Sequence, residues 1–97
     1  MKVLVNKCYG GFSFSKELYE QLGLEWDKYG YLHGEQFGRG DEIRTNPEVI
    51  AAVEAIGVER ASGECASLCI VEIPDGIDWY IDEYDGWETV RETHRSW

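Results

Sequence analysis

Ala66-Ser67-Leu68-Cys69-Ile70-Val71-Glu72-Ile73 is followed by Pro74-Asp75-Gly76, then by Trp79-Tyr80-Ile81-Asp82-Glu83-Tyr84 and Asp85-Gly86-Trp87-Glu88. The first octet is almost continuously apolar, the pattern of a central strand covered on both faces. Pro, Asp and Gly in succession make a turn. In the next run Trp79 and Ile81 fall on one face and Tyr80, Asp82 and Tyr84 on the other. That run reads as a second strand, paired antiparallel with the octet. Asp85 and Glu88 stand at the spacing of a capping box, and Trp87, Val90, Arg91 and His94 then share one face of a closing helix.

Upstream, Asn46-Pro47-Glu48 joins a capping side chain, a proline suited to the first helical position and an acid suited to the first turn. Val49, Ile50, Val53 and Ile56 continue at helical spacing, and Gly57 ends the run. At the start of the chain, Lys2-Val3-Leu4-Val5-Asn6 reads as a buried strand. Cys8-Tyr9-Gly10-Gly11-Phe12-Ser13 breaks it, and Ser13 or Ser15 caps a helix bearing Phe14, Leu18 and Leu22 on one face. Residues 24–45 carry glycines that interrupt any period and read as irregular, with a short helical turn near Trp26. The expected order is β-α-α-β-β-α. A helical crossover makes the first two strands parallel, so the expected fold is α/β (α+β), a two-layer sandwich on a three-stranded mixed sheet.

The chain has 97 residues, enough for one domain spanning 1–97. Its 43% hydrophobic and 29% charged residues are those of a folded chain. Nineteen acids against nine bases give a net charge of −10, which disfavours direct nucleic-acid binding, since phosphate attraction needs Lys and Arg. No apolar run reaches the ~20 residues of a membrane helix, and no secretory segment follows Lys2. Cys8, Cys65 and Cys69 are an odd set, expected as reduced thiols in a cytoplasmic protein. They form no short Cys-x-x-Cys knuckle, and His33 and His94 stand in no recognised pairing, so no metal is expected. No cofactor is implied either.

Two groups of residues are candidates for binding. The first is the glycine loop: Lys7, Tyr9, Gly10, Gly11, Phe12, Ser13 and Ser15, with Arg39 and Arg44 available to converge on it. A strand leading through glycines into a helix N-terminus exposes N–H groups to an anion, so a nucleotide or phosphorylated small molecule is the ligand class. The loop matches no established phosphate motif; glycines also serve merely to turn the chain, and the arginines to pair with nearby acids. The second group lies in the acidic, aromatic tail: Tyr80, Asp82, Tyr84, Asp85, Trp87, Arg91, Arg95 and Trp97. Thirteen aromatic residues exceed what a core this small hides, and exposed Tyr and Trp favour protein interfaces. The acids there are open to a further reading, as a mimic of a phosphate backbone, besides the plain one of a solubilising face. A nucleophile–base pair of Cys8 with His33 or His94 has no support from spacing, so catalysis is not expected.

The segments Asn6-Lys7-Cys8-Tyr9-Gly10-Gly11-Phe12-Ser13-Phe14-Ser15, Ile70-Val71-Glu72-Ile73-Pro74-Asp75-Gly76, Asp82-Glu83-Tyr84-Asp85-Gly86 and His94-Arg95-Ser96-Trp97 resemble the two ends of a family of small bacteriophage-encoded proteins of unknown function. The resemblance covers about half the chain. It implies a phage setting, with action in the cytoplasm of a host cell, and brings no reaction or ligand. The combined expectation is a non-catalytic protein that binds a host protein, antagonising a host function such as defence. A nucleotide-like small molecule at the glycine loop is the alternative, and a homodimer is compatible with either.

Overall fold

The computed structural model describes residues 1–26, 28–30 and 41–92 and has a mixed α+β architecture. Strand β1 (Lys2–Asn6) leads through the glycine loop into helix α1 (Lys16–Gln21). Ser15 is the cap: its Oγ accepts from the Leu18 N–H at 3.2 Å. Leu18 is fully buried within α1. Phe14, equally buried, precedes the cap in an isolated bridge to Ser62, and Leu22 is the half-buried C-cap. Of the three residues expected on one helical face, only Leu18 lies within the helix. Helix α2 (Asp41–Thr45) runs directly into α3 (Pro47–Ile56), where Asn46 Oδ1 accepts from the N–H groups of Glu48 and Val49. α3 buries Val49, Ile50, Ala52 and Val53 and stops at Gly57, whose φ of +91° suits glycine. One further turn, α4 (Val58–Ala61), precedes β2 (Leu68–Glu72), and the described chain ends in β3 (Tyr80–Tyr84) and β4 (Trp87–Arg91). Among the described residues, no helix is long and apolar enough to cross a membrane.

The sheet differs from the three-stranded mixed one that the sequence leads one to expect. Among the described residues there are two antiparallel pairs, β1 with β2 and β3 with β4. β1 and β2 are antiparallel, with Lys2 opposite Glu72 and Asn6 opposite Leu68. The reason lies past Asn6. Lys7 N–H donates to Ser67 O, Gly63 N–H to Ser13 O, and Ser15 N–H to Ala61 O. The segment leaving β1 therefore lies along the segment that enters β2, and β2 must run back alongside β1.

The expected hairpin of the octet with Trp79–Tyr84 is also absent. Beyond β2, Ile73 is bonded to Met1 in both directions. β3 instead pairs with the stretch expected as the closing helix. Asp85 and Gly86 both have positive φ, 52° and 91°, and a two-residue Asp-Gly turn of that kind matches the twist of a hairpin. Turn chemistry therefore prevails over the capping-box spacing of Asp85 and Glu88. Among the described residues of the segment read as irregular, Trp26 lies outside any helix, and a helical turn occurs later, as α2.

The strand covered on both faces is β1, not β2. Leu4 joins Phe14, Leu18, Val49, Val53 and Leu68 in the core beneath the helices. On the other face Val3 and Val5 join Ile73 and Val90 in a second cluster. β2 is half-buried over Cys69–Val71 and exposed at Glu72.

Candidate binding face on the β3–β4 hairpin

Strand alternation sends Glu88 and Val90 inward and Trp87, Thr89 and Arg91 outward. Across the hairpin, Tyr84 is opposite Trp87, Asp82 opposite Thr89 and Tyr80 opposite Arg91. Five residues of the sequence-predicted interaction surface thus share one outer face: Tyr80, Asp82, Tyr84, Trp87 and Arg91. Asp85 is exposed at the turn. Arg95 and Trp97 lie outside the described residues. Tyr9, which the sequence assigns to the glycine loop, completes the face; its ring lies 5.4 Å from that of Trp87. Tyr9, Asp82, Tyr84, Trp87, Thr89 and Arg91 line a groove of about 150 Å³. Tyr84 is 75% and Tyr9 67% exposed, and Arg91 Nε donates to Asp82 Oδ2 at 2.6 Å across the strands.

Beneath this face lies a buried polar anchor. Glu88, opposite in direction to Trp87 and Thr89, receives Arg44 in a two-pronged pair, Nη1 to Oε1 at 2.6 Å and Nη2 to Oε2 at 2.8 Å. The same Oε1 accepts from the Asn6 N–H at 2.7 Å, and Arg44 Nη1 reaches Leu4 O at 3.3 Å. Side chains from α2 and β4 thus bond to the edge of β1 that a third strand would otherwise occupy. The Arg44 guanidinium also lies 3.6 Å from the centre of the Phe12 ring, where a cation is favoured. Asn6 is fully buried and satisfied: its Nδ2 donates to Cys8 O and Gly86 O, and its Oδ1 accepts from Ser67 N–H. It ties the hairpin turn to the loop that carries Tyr9. Gly86 allows that approach, because a Cβ there would stand 2.6 Å from Gly11 N.

The glycine loop borders a second, larger hollow of about 330 Å³. Gly10, Gly11, Phe12 and Ser13 line it, together with Trp26, Lys28, Tyr29 and Cys65. Other residues expected there are engaged elsewhere. Ser15 Oγ caps α1 and donates to Arg60 O at 2.5 Å. Arg44 faces Glu88 and Tyr9 faces Trp87, and Lys7 is not among the described residues that line the hollow. Arg39 lies outside the described residues. The glycines have packing duties: the space of a Cβ on Gly10 is filled by Cys65 and that on Gly63 by Ser13. Gly11, at φ +90°, faces open space.

All three cysteines are free thiols. Cys8 Sγ donates to Cys65 O at 2.9 Å and to Asn6 Oδ1 at 3.4 Å; His33 and His94, the bases considered for it, lie outside the described residues. Among the described residues, no three potential metal ligands come together. Arg60 pairs with Glu17, the ordinary surface pairing weighed for the arginines, and Lys2 pairs with Glu54. Sequence reasoning missed Asn6 and Glu88 as anchors and Thr89 as a groove residue. The signal for the latter two was present in the alternation that follows Asp85-Gly86. Comparison of the chain with protein-family models, with curated proteins and with solved structures gives no match.

Proposed function

We propose that this chain works without catalysis, by binding a partner protein on the outer face of the β3–β4 hairpin. One observation carries the reading: Tyr9, Tyr80, Tyr84 and Trp87 are large, exposed aromatic side chains gathered on one anchored surface. Tyr and Trp supply much contact area at small entropic cost and dominate interface energetics. The net charge of −10 favours a partner that presents a basic surface. The phage resemblance of the two chain ends makes a host protein, one whose activity is antagonised, the proposed class of partner. The test is capture from host lysate with the wild type and with Tyr84→Ala/Trp87→Ala, after the thermal stability of both has been compared. A protein retained by the first and lost with a folded second supports the reading; equal retention overturns it.

The hollow beside the glycine loop supports a second reading, a nucleotide-like ligand. Its volume lies at the lower end of small-molecule sites, and Phe12, Trp26 and Tyr29 offer aromatic surface to a base. Lys28 supplies a cation there, while Glu64 opposes a phosphate. A thermal shift with one nucleotide from a panel, abolished in Gly11→Val, favours this reading over the first.

A further inference from the structure

We infer that the outer edge of β3 receives an extended basic segment of the partner, which adds to the hairpin as a third strand. This rests on the binding-face reading and specifies the partner's conformation and chemistry. The pair that closes a two-residue turn, here Tyr84 and Trp87, is hydrogen-bonded, and bonded and non-bonded pairs then alternate. Tyr80, Asp82 and Tyr84 therefore direct their backbone groups at β4. Ile81 and Glu83 direct theirs at the opposite edge, where no strand pairs with them among the described residues. Open edges invite pairing with another chain, and charged side chains select against unwanted partners. β2 has an open edge too, but Ser62 Oγ already accepts from Leu68 N–H there at 2.9 Å.

Charge chooses the occupant. Asp78, Asp82, Glu83 and Asp85 lie along residues 78–85 with no basic residue between them. A second copy, pairing the whole of β3 antiparallel with itself, would set Asp82 against Asp82 and bring another −10 of net charge. An extended segment in which Lys or Arg alternates with apolar residues has the opposite relation. Its cations lie on the outer face beside Asp82 and against the rings of Tyr80 and Tyr84, and its apolar side chains lie beside Ile81. Backbone bonds supply the affinity of such strand addition, and the alternating side chains supply its selectivity.

The experiment uses the full chain and a synthetic nonapeptide of alternating Arg and Val, followed by NMR. The peptide should bind, and at saturation amide exchange at Ile81 and Glu83 should slow by roughly tenfold or more. N-methylation of alternate peptide residues should weaken binding by roughly tenfold in one phasing and little in the other. A Glu-for-Arg peptide should not bind. Absence of binding, unchanged exchange at Ile81 and Glu83, equal affinity in both phasings, or binding of the Glu peptide would overturn the inference. So would protection of those amides by raised protein concentration alone. Tyr84→Ala separates the two readings. If it weakens a peptide that leaves the edge amides unprotected, the face stands and the added strand falls. If the amides are protected and Tyr84→Ala changes nothing, the strand stands and the aromatic face falls.

Discussion

The two faces of the β3–β4 hairpin each carry an Arg–carboxylate pair with the same shortest separation, 2.6 Å, yet their surroundings differ sharply. Inside, the side chains of Arg44 and Glu88 are 15% and 6% exposed; outside, those of Arg91 and Asp82 are 41% and 51% exposed. Distance alone therefore says little about what either pair contributes. The inner pair is shielded from water and bonded further to Asn6, Leu4 and the Phe12 ring, so removing one partner strands a charge in the interior. The outer pair exchanges one solvated arrangement for another and is screened by salt. The hairpin thus has one face that holds it to β1 and one that, among the described residues, is open to water.

The largest effect should come from Glu88→Gln. It keeps the shape but leaves the Arg44 guanidinium without its counter-charge, and urea unfolding should register a loss of ~3–5 kcal/mol. That is a large fraction of the ~5–15 kcal/mol typical of a small domain. Replacing both partners together, Arg44→Met with Glu88→Leu, should recover much of the loss, because two apolar side chains leave no stranded charge. A double variant no better than Glu88→Gln would mean that the pair's value lies in the shape of its hydrogen bonds to β1, not in charge compensation. The next largest effect should follow Gly86→Ala. The residue sits at φ +91° and its added methyl would press on Gly11, so a cost of ~1–3 kcal/mol is expected. Separation of Tyr9 from Trp87 should accompany it, seen as a change in near-ultraviolet circular dichroism.

How far these two faces were legible beforehand depends on which physical signal was local. α1 and α3 were readable because their caps, spacing and terminal glycines all lie within a dozen residues and agree. The outer-face residues were readable as a group because exposed aromatics and charges cluster between Tyr80 and Arg91, even though the element expected to carry half of them was a helix. Glu88 was read as a capping acid, and only the positive-φ turn at Asp85-Gly86 turns it toward the interior. Asn6 looked like the end of a strand. Its role depends on Cys8, Ser67 and Gly86 meeting in space, and no spacing in the chain encodes that. The parallel pairing of β1 and β2 was a default for a helical connection; bonds from the loop 7–15 to residues 61–67 decide otherwise.

On the outer face, Asp82→Asn should change the unfolding free energy by no more than ~1 kcal/mol, as for other exposed pairs. Measured at low and at high salt, even that difference should shrink as screening increases. A loss comparable to that of Glu88→Gln would break the ranking by burial and make the outer face part of the fold's own support, with no role left for a partner.

The smallest effect belongs to a pair whose carboxylate is still more open to water. The Met1 ammonium lies 2.8 Å from an oxygen of Asp75, whose side chain is 88% exposed. The hydrogen bond from that ammonium, and then its charge, hold the Asp75 carboxyl below its ordinary value, against a lesser opposing effect of desolvation. A carboxylate with a depressed folded pKa stabilises the fold at pH above its unfolded value, ~3.9, and that contribution fades as pH falls through the folded one. Wild type should therefore melt slightly above Asp75→Asn near pH 6, and the two curves should converge as the solution is taken toward pH 2. Acetylating the terminal amine should have the same consequence, since it removes the charge that depresses the carboxyl. A gap that persists or widens in acid would mean that Asp75 acts through the Pro74-Asp75-Gly76 turn and not through its charge. That outcome would remove the exposed end of the series and leave burial tested only by the hairpin's two faces.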